Sequence, residues 1–368
     1  MTDSRPVSSS DTDARSAHAS PPRLLDSSTP VLSLGETLID LIVADGAPGL
    51  ETAAALAVRP GGAPANVAVA LARLGVPSAF GGVVGADSFG ARLRATLERE
   101  GVDVSRLRAT GDADTSLAFA WKDARGDGHF RLLRLADRLL STGDVEAARL
   151  FETAALVVGS VALAAEPSRG AITRAVELAA AAGVPVVFDV NLRPTLWSDL
   201  AVAREACAPV LAHATLLKLS LDDARHLLGT EDDPAATVDH LRSGRSAETS
   251  PSGDEAATRL VVLTDGSRGS WYAPPGEAPV RHVPAFLVDA VEPTGAGDAF
   301  TAALIARLLA RGWSSPDDTD VRYAAAGGAL ATTKRGAMDG LPTAAELDAF
   351  LLDRGTAGAG SRRGSGVH

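Results

Sequence analysis

The run Val184-Pro185-Val186-Val187-Phe188-Asp189-Val190 limits the fold more than any other stretch of this chain. It is apolar at both alternating sets of positions, so as a strand it must be covered on both faces. A helical pattern over 168–182 runs into it, and Gly183 stops that helix. A doubly covered strand fed by a helix belongs to a mostly parallel sheet with helices above and below. The same alternation recurs along the chain. Strands are expected at Val31–Leu34, Leu38–Val43, 156–159, 216–219 and 260–263. A helix over 64–74 has Pro64 in its first turn, Val67, Leu71 and Leu74 on one face, and Gly75 at its end. Another helix follows Gly297.

One pair of segments breaks the rhythm. Residues 116–121 and 129–135 read as two strands joined by the polar turn 123–128. They suit a small separate sheet, such as a lid. Residues 1–29 are rich in Ser, Asp, Thr and Pro without a hydrophobic period, and 355–368 resemble them. Both read as disordered tails, and about 230–257, acidic and rich in Ser and Gly, as a disordered surface insertion. That leaves one domain over 30–354. No repeat of fixed period is visible.

The chain of 368 residues carries a formal net charge of -11 and no dense Lys/Arg block. Nucleic acid and anionic membranes are therefore poor partners. Any phosphate site must be local, made of helix N-termini, a bound cation and a few placed basic groups. No secretory apolar core opens the sequence, and the apolar run 154–165 is too short to span a bilayer. We expect a cytoplasmic protein. The one cysteine, Cys207, excludes an intrachain disulfide and reads as a packing residue. The seven histidines are scattered, so no zinc site is expected.

Chemistry concentrates in Glu292-Pro293-Thr294-Gly295-Ala296-Gly297-Asp298. This stretch follows an extended run over 283–291 and opens a helix with Phe300, Leu304 and Leu308 on one face. Small residues at a helix start leave free N–H groups open to an anion, and the helix dipole favours it. Asp298 in the first turn reaches the same spot. An anion hole beside a carboxylate suits phosphoryl transfer, in which the carboxylate accepts the hydroxyl proton. A glycine-rich turn with an ordinary first-turn Asp is the alternative.

Other segments fit the same chemistry. In Gly61-Gly62-Ala63-Pro64-Ala65-Asn66, the glycines permit backbone contact with a ligand, and the Asn66 amide can pair both ways with sugar hydroxyls. Asp40, flanked by Ile39 and Leu41, either accepts vicinal hydroxyls or faces water. Asp189, Asn191 and Arg193 close a buried strand where α/β folds hold ligands, and Arg193 has the fork that grips phosphate. Lys218, Ser220 and Asp223 end another strand. Asp223 acts near nucleotide-bound magnesium through water, or pairs with Ser220 as a helix capping box. Thr264, Gly266, Ser267 and Gly269 form a strand-end loop able to hydrogen-bond phosphates, or a plain turn.

Taken in order, these segments resemble the ribokinase-like, phosphofructokinase-B type sugar kinases, and among them most of all the fructokinases. The similarity runs from about Val31 to Leu352. It includes Gly35-Glu36-Thr37-Leu38-Ile39-Asp40, Gly85-Ala86-Asp87-Ser88-Phe89-Gly90, Asp189-Val190-Asn191-Leu192-Arg193-Pro194, and Thr332-Thr333-Lys334-Arg335-Gly336-Ala337 with Leu341-Pro342. The resemblance implies a three-layer α/β/α ribokinase-like domain with a small β-sheet lid, drawn here from segments near 38–60 and 115–135. It implies ATP and magnesium, and a homodimer paired through the lids. Asp40, Gly61, Gly62, Asn66, Arg134 and Asn191 would hold the sugar. Asp298 would be the base, with Gly295, Ala296 and Gly297 as the anion hole. Asn191, Lys218, Ser220, Asp223, Thr264, Gly266, Ser267 and Gly269 would line the nucleotide, with Ala326 and Gly327 near adenine or its ribose. The implied reaction is transfer of the ATP γ-phosphoryl to fructose. A kinase of 2-keto-3-deoxygluconate, with Arg131 or Arg134 as the extra cation, and a non-catalytic sugar-binding protein are the alternatives.

Three departures accompany the resemblance. Ser220-Leu221-Asp222-Asp223 replaces Asn-x-x-Glu, and Glu292 replaces an Asp that helps bind potassium in relatives activated by that ion. Phe130-Arg131-Leu132-Leu133-Arg134 replaces the Phe-Tyr-Arg stretch of fructokinase lids, keeping Arg134 but losing the aromatic sugar contact.

Overall fold

The computed structural model describes residues 26–229, 233–242, 259–276 and 278–360, with side chains as far as 354. Nine strands build the central sheet. They are β1 (Val31–Leu34), β4 (Ser78–Gly85), β5 (Asp103–Thr110), β8 (Ala155–Gly159), β9 (Val186–Asp189), β10 (Leu216–Ser220), β11 (Leu260–Thr264), β12 (Ser270–Ala273) and β13 (Arg281–Val283). Their order is β13-β12-β11-β10-β9-β8-β1-β4-β5. Strands from β11 to β5 run parallel, while β12 pairs antiparallel with both β11 and β13 at one edge.

The buried strands alternate between two cores. Val31, Val157, Val187, Leu216 and Val262 share one core with α1 (Ala63–Arg73), α8 (Ala296–Ala310) and α9 (Asp318–Ala331). Leu32, Leu156, Phe188, Leu217 and Val261 share the other with α4 (Ser168–Ala181) and α5 (Leu200–His213). Period-two side chains that are apolar on both sides thus produce the three layers. Shorter or peripheral helices are α2 (Ser88–Arg99), α3 (Thr142–Ala147), α6 (Leu221–Leu228), α7 (Pro234–Arg242) and α10 (Ala344–Gly360).

Strand β1 is the switch point of the sheet. From it the chain builds outward through β4 to β5, then returns to β8 on the other side of β1 and builds through β9, β10 and β11. Loops diverge at such a point, and they leave a crevice beyond the carboxyl ends of the strands. Over this crevice lies the second sheet, in the order β3-β2-β6-β7, made of β2 (Leu38–Val43), β3 (Leu56–Gly61), β6 (Leu117–Lys122) and β7 (Gly128–Leu133). Its strands come from the two excursions expected to form a lid.

Elsewhere the structure corrects the sequence expectations. Part of 230–257, expected to be irregular throughout, is the helix α7, in which Thr237 and Val238 are buried and Asp233 Oδ1 accepts Ala235 N–H at 2.9 Å. Pro234 sits at its first position, where the absent N–H costs nothing. Residues 230–232 and 243–257 lie outside the described residues, as do 1–25 and 361–368. Helix α10 passes residue 355, where a disordered tail was expected, and ends at Gly360. Of the run 283–291, expected to be extended, only Val283 belongs to a strand, the end of β13. Among the described residues, no helix is long and apolar enough to cross a membrane.

Candidate active site

The helix α8 starts where its sequence requires. Gly295 is the N-cap at φ 86, a left-handed backbone, and a Cβ there would lie 2.6 Å from the Ala337 carbonyl oxygen. Glycine fits this position on both counts. No side chain among the described residues caps the helix. Ala296, expected to be part of the anion hole, donates its N–H to the Pro293 carbonyl at 3.2 Å, which leaves the N–H groups of Gly297 and Asp298 for a ligand. Two clefts flank this start and share Gly297. One, of about 430 Å³, opens beneath the lid. The other, of about 310 Å³, lies between the β11–β12 turn and α9.

The lid-side cleft contains Asp40, Gly62, Asn66, Asn191, Lys218, Gly295, Gly297 and Asp298. Asp298 is 6 % exposed and accepts the Asn66 Nδ2–H at 2.7 Å through Oδ2. Asn66 Oδ1 is buried without a hydrogen-bond partner among the described residues, a group that a ligand hydroxyl would satisfy. Burial pushes the Asp298 carboxyl up to about 6, and nearby Asp189 adds to the push, against the Asn66 hydrogen bond and the charges of Lys218 and Arg193. Such a carboxylate is ionised at neutral pH yet basic enough to take a proton.

Beneath the helix start, Lys218 Nζ lies 3.0 Å from Asp189 Oδ1, and Thr301 Oγ1 donates to Asp189 Oδ2 at 2.7 Å. Burial pulls the lysine down, but Asp189, with help from Asp223 and Asp298, holds it above its ordinary range. A Cβ on Gly297 would come within 2.9 Å of Lys218 Nζ. The ammonium therefore adds positive charge directly under the free N–H groups.

Asp40 on β2 faces the cleft. Gly61 makes room for it, since a Cβ there would meet Asp40 Oδ2 at 2.1 Å. Burial raises Asp40 to about 7, helped by Glu292 and Asp298 and opposed by Arg193. Arg193 also reaches the lid, with its guanidinium 5.7 Å from the Phe130 ring centroid on β7 and its Nη1 donating to Asn191 Oδ1 at 2.6 Å. It is a cleft cation here.

The second cleft brings together Thr264, Gly266, Ser267, Gly269, Ala296 and Gly297. Its far wall is not where the sequence suggested. Ala325, Gly328, Ala329 and Thr332 line it, whereas Ala326 is fully buried and Gly327 faces Ala299 and Ala303 of α8. Those two positions sit on the packing face of α9, between the cleft-lining Ala325 and Gly328 in sequence.

Two other expectations are corrected. Asp223 lines neither cleft. Its Oδ2 accepts Ser220 N–H at 2.8 Å and Ser220 Oγ–H at 2.7 Å, and its Oδ1 accepts Leu192 N–H at 2.7 Å. Ser220 and Asp223 form the capping box of α6, and both are thereby committed to the loop rather than to a ligand. Arg134 does not line the lid-side cleft either. Its Nε donates to Asp137 Oδ2 at 2.6 Å and its Nη2 to Ser168 Oγ at 3.2 Å.

Sequence reasoning missed Glu36, Phe130 and Thr294 in the first cleft and Ser270 and Phe286 in the second. Glu36 follows β1, so the switch-point rule would have found it. The loss of the lid aromatic was overstated, because Phe130 itself lines the cleft.

A buried carboxylate on one side of a helix start and a glycine-rich, hydroxyl-bearing cleft on the other suit a phosphotransferase that acts on an alcohol group. Residues 28–344 match the pfkB family of carbohydrate kinases, and the chain belongs to that family. It has the ribokinase-like fold. It is 36 % identical over 324 residues to Fructokinase-1 of Zea mays, covering 86 % of this chain and 96 % of that protein. It is 39 % identical over 299 residues to the fructokinase of Klebsiella pneumoniae, covering 79 % of this chain and 92 % of that protein. The structure of fructokinase from Vibrio cholerae O395 with fructose, ADP and calcium bound aligns with a TM-score of 0.72 at 31 % identity, covering 89 % of this chain and 100 % of that one.

Proposed function

We propose that this protein is an ATP-dependent fructokinase, transferring the γ-phosphoryl group to a primary hydroxyl of fructose to give fructose 6-phosphate. The observation that carries this is the meeting of the two clefts at Gly297, with the Asp298 carboxylate on one side and the free N–H groups of α8 between them. The fructokinase names of the relatives, and the fructose and ADP bound in the Vibrio cholerae protein, support it.

In this mechanism fructose lies under the lid against Asp40, Gly62 and Asn66, and ATP phosphates lie over Gly266, Ser267 and the start of α8. Asn66 holds Asp298 Oδ2, which leaves Oδ1 to accept the hydroxyl proton as the new P–O bond forms and the bond from the γ-phosphorus to the bridging oxygen breaks, with ADP leaving. The α8 N–H groups and the Lys218 ammonium stabilise charge on the transferring group. The lid excludes water and so limits hydrolysis of ATP. Among the described residues, no group of three His, Cys, Asp or Glu could cage a metal ion. A divalent ion suits this site as a companion of the ATP phosphates, where it neutralises their charge.

Charge favours a neutral sugar. Glu36, Asp40 and Asp298 face the lid-side cleft, while of its cations Lys218 is paired with Asp189. Arg134 is tied to Asp137, and Arg131 is exposed and lines neither cleft, so the two cations expected to suit 2-keto-3-deoxygluconate lie elsewhere and Arg193 alone faces three carboxylates. An intact base beside an anion hole likewise argues against a pure binder.

The finer features are part of the proposal. The chain acts as one domain over 30–354, in the cytoplasm. It pairs as a homodimer through the lid, where Leu56 and Phe130 are exposed, and light scattering reads this directly. Potassium activation is read by exchange for sodium. Glu292 Oε2 already accepts Gly336 N–H at 3.1 Å, so that carboxylate is partly committed. The central test is ADP release from magnesium-ATP against fructose, 2-keto-3-deoxygluconate, ribose, glucose, tagatose and adenosine. Strong turnover with fructose alone is expected. Preference for the keto acid overturns the substrate, and ligand binding without sugar-stimulated turnover overturns the kinase.

A further inference from the structure

The lid-side cleft holds a carboxylate that phosphoryl transfer does not use. Glu36 follows the carboxyl end of β1, is 4 % exposed and lines the cleft. Its Oε2 is buried without a hydrogen-bond partner among the described residues. Its backbone is fixed, because Gly62 packs so closely on it that a Cβ at 62 would sit 2.6 Å from the Glu36 carbonyl oxygen. An unpaired buried acceptor destabilises the folded chain unless a ligand supplies the missing donor.

Its charged neighbours place Glu36 within the cleft. Glu36 feels Asp137, Arg134 and Arg193, whereas Asp40 feels Glu292, Arg193 and Asp298. Both carboxylates line the cleft, and Arg193 acts on each. Burial is the main influence on it, raising its carboxyl to about 7. A sugar hydroxyl both donates and accepts, and so can pair with this group in either protonation state.

We propose that Glu36 is a specificity-determining residue whose Oε2 accepts a hydrogen bond from a sugar hydroxyl in the lid-side cleft, and which repels a substrate carrying a carboxylate against it. This rests on the kinase reading above. A hydroxyl in that position relieves the unpaired acceptor, while an anion adds like charge in a buried site.

The experiment compares wild type, Glu36→Gln and Glu36→Asp in full steady-state kinetics with fructose and with 2-keto-3-deoxygluconate. Glu36→Gln keeps the shape and removes the charge. It should raise the fructose KM about 10- to 100-fold, the scale of one charged hydrogen bond, with kcat changed less than about threefold. The preference in kcat/KM for fructose over the keto acid should narrow by about tenfold or more. Glu36→Asp keeps the charge but withdraws the oxygen, and should raise KM while still rejecting the acid.

A KM and a preference unchanged in either variant overturn the proposal, as does a lowered melting temperature with unchanged kinetics. If Glu36→Gln does not fold, the Glu36→Asp KM decides alone. Wild-type turnover with fructose is measured first. Its absence refutes the kinase, whereas normal wild-type turnover with unaltered variants refutes only the role of Glu36.

Discussion

Replacing Asp298 by Asn should lower activity and raise stability together. The substitution keeps the shape, and the new amide can turn its oxygen towards Asn66 Nδ2, preserving the 2.7 Å contact. Its NH₂ then faces the cleft, where the sugar hydroxyl needs an acceptor. Loss of a positioned base costs about 10²- to 10⁴-fold in kcat, or about 3 to 5 kcal/mol of barrier. Stability moves the other way. An acid held above its ordinary value binds its proton more tightly when folded, so the folded state loses stability as pH rises from 3.8 through about 6. Above pH 6 the full penalty of the buried charge is on the order of 3 kcal/mol. The Asn variant escapes it. It should melt several degrees above wild type at pH 8, and the difference should vanish near pH 4. Coupled ADP release with fructose and thermal melts at the two pH values read both effects, and fructose binding shows that the site is intact. Turnover within tenfold of wild type would remove Asp298 as the base. A lower melting point at pH 8 would show that its charge is not held against a burial penalty.

Three further outcomes are expected. The pH profile of kcat/KM should fall on the acid side with a midpoint of about 6, because Asp298 is raised to about 6 and must be ionised to take the hydroxyl proton; a profile flat down to pH 5 contradicts this. Asp223→Ala should cost about 2 to 4 kcal/mol in chemical unfolding, from the broken capping box and the orphaned Leu192 N–H, while the magnesium dependence stays near wild type. Cys207, buried and pushed up to about 12 mainly by that burial and also by Asp223, should resist thiol reagents in the native protein and react once the chain is unfolded.

The parts of this fold written in local pattern were legible. Doubly apolar strands and glycine-stopped helices gave the three layers, and Gly295 to Asp298 marked the helix start with its buried carboxylate. The errors share a physical cause, in that they concern which side of an element faces the ligand. Residues 324–331 of α9 are nearly all Ala and Gly, so no apolar stripe set the register, and Ala326 and Gly327 were taken for Ala325 and Gly328. Arg134 looked free because its partner, Asp137, lies beyond the strand, three residues on. Glu36 looked like one more polar residue after a strand, and only the packing of Gly62 shows how deeply it is held. In α7 the apolar content is too small to announce a helix, although Pro234 marks its start.

The shared wall at Gly297 has a stereochemical consequence. In the proposed reaction sugar and nucleotide enter from opposite sides of one helix start, and the residue the clefts share, Gly297, has no side chain to carry the phosphoryl group on the way. The group passes in a single in-line displacement, so an isotopically chiral phosphate would leave ATP and arrive on the sugar with its handedness inverted. Both substrates must then be aboard before either product forms, and label would not scramble between ADP and ATP without the sugar.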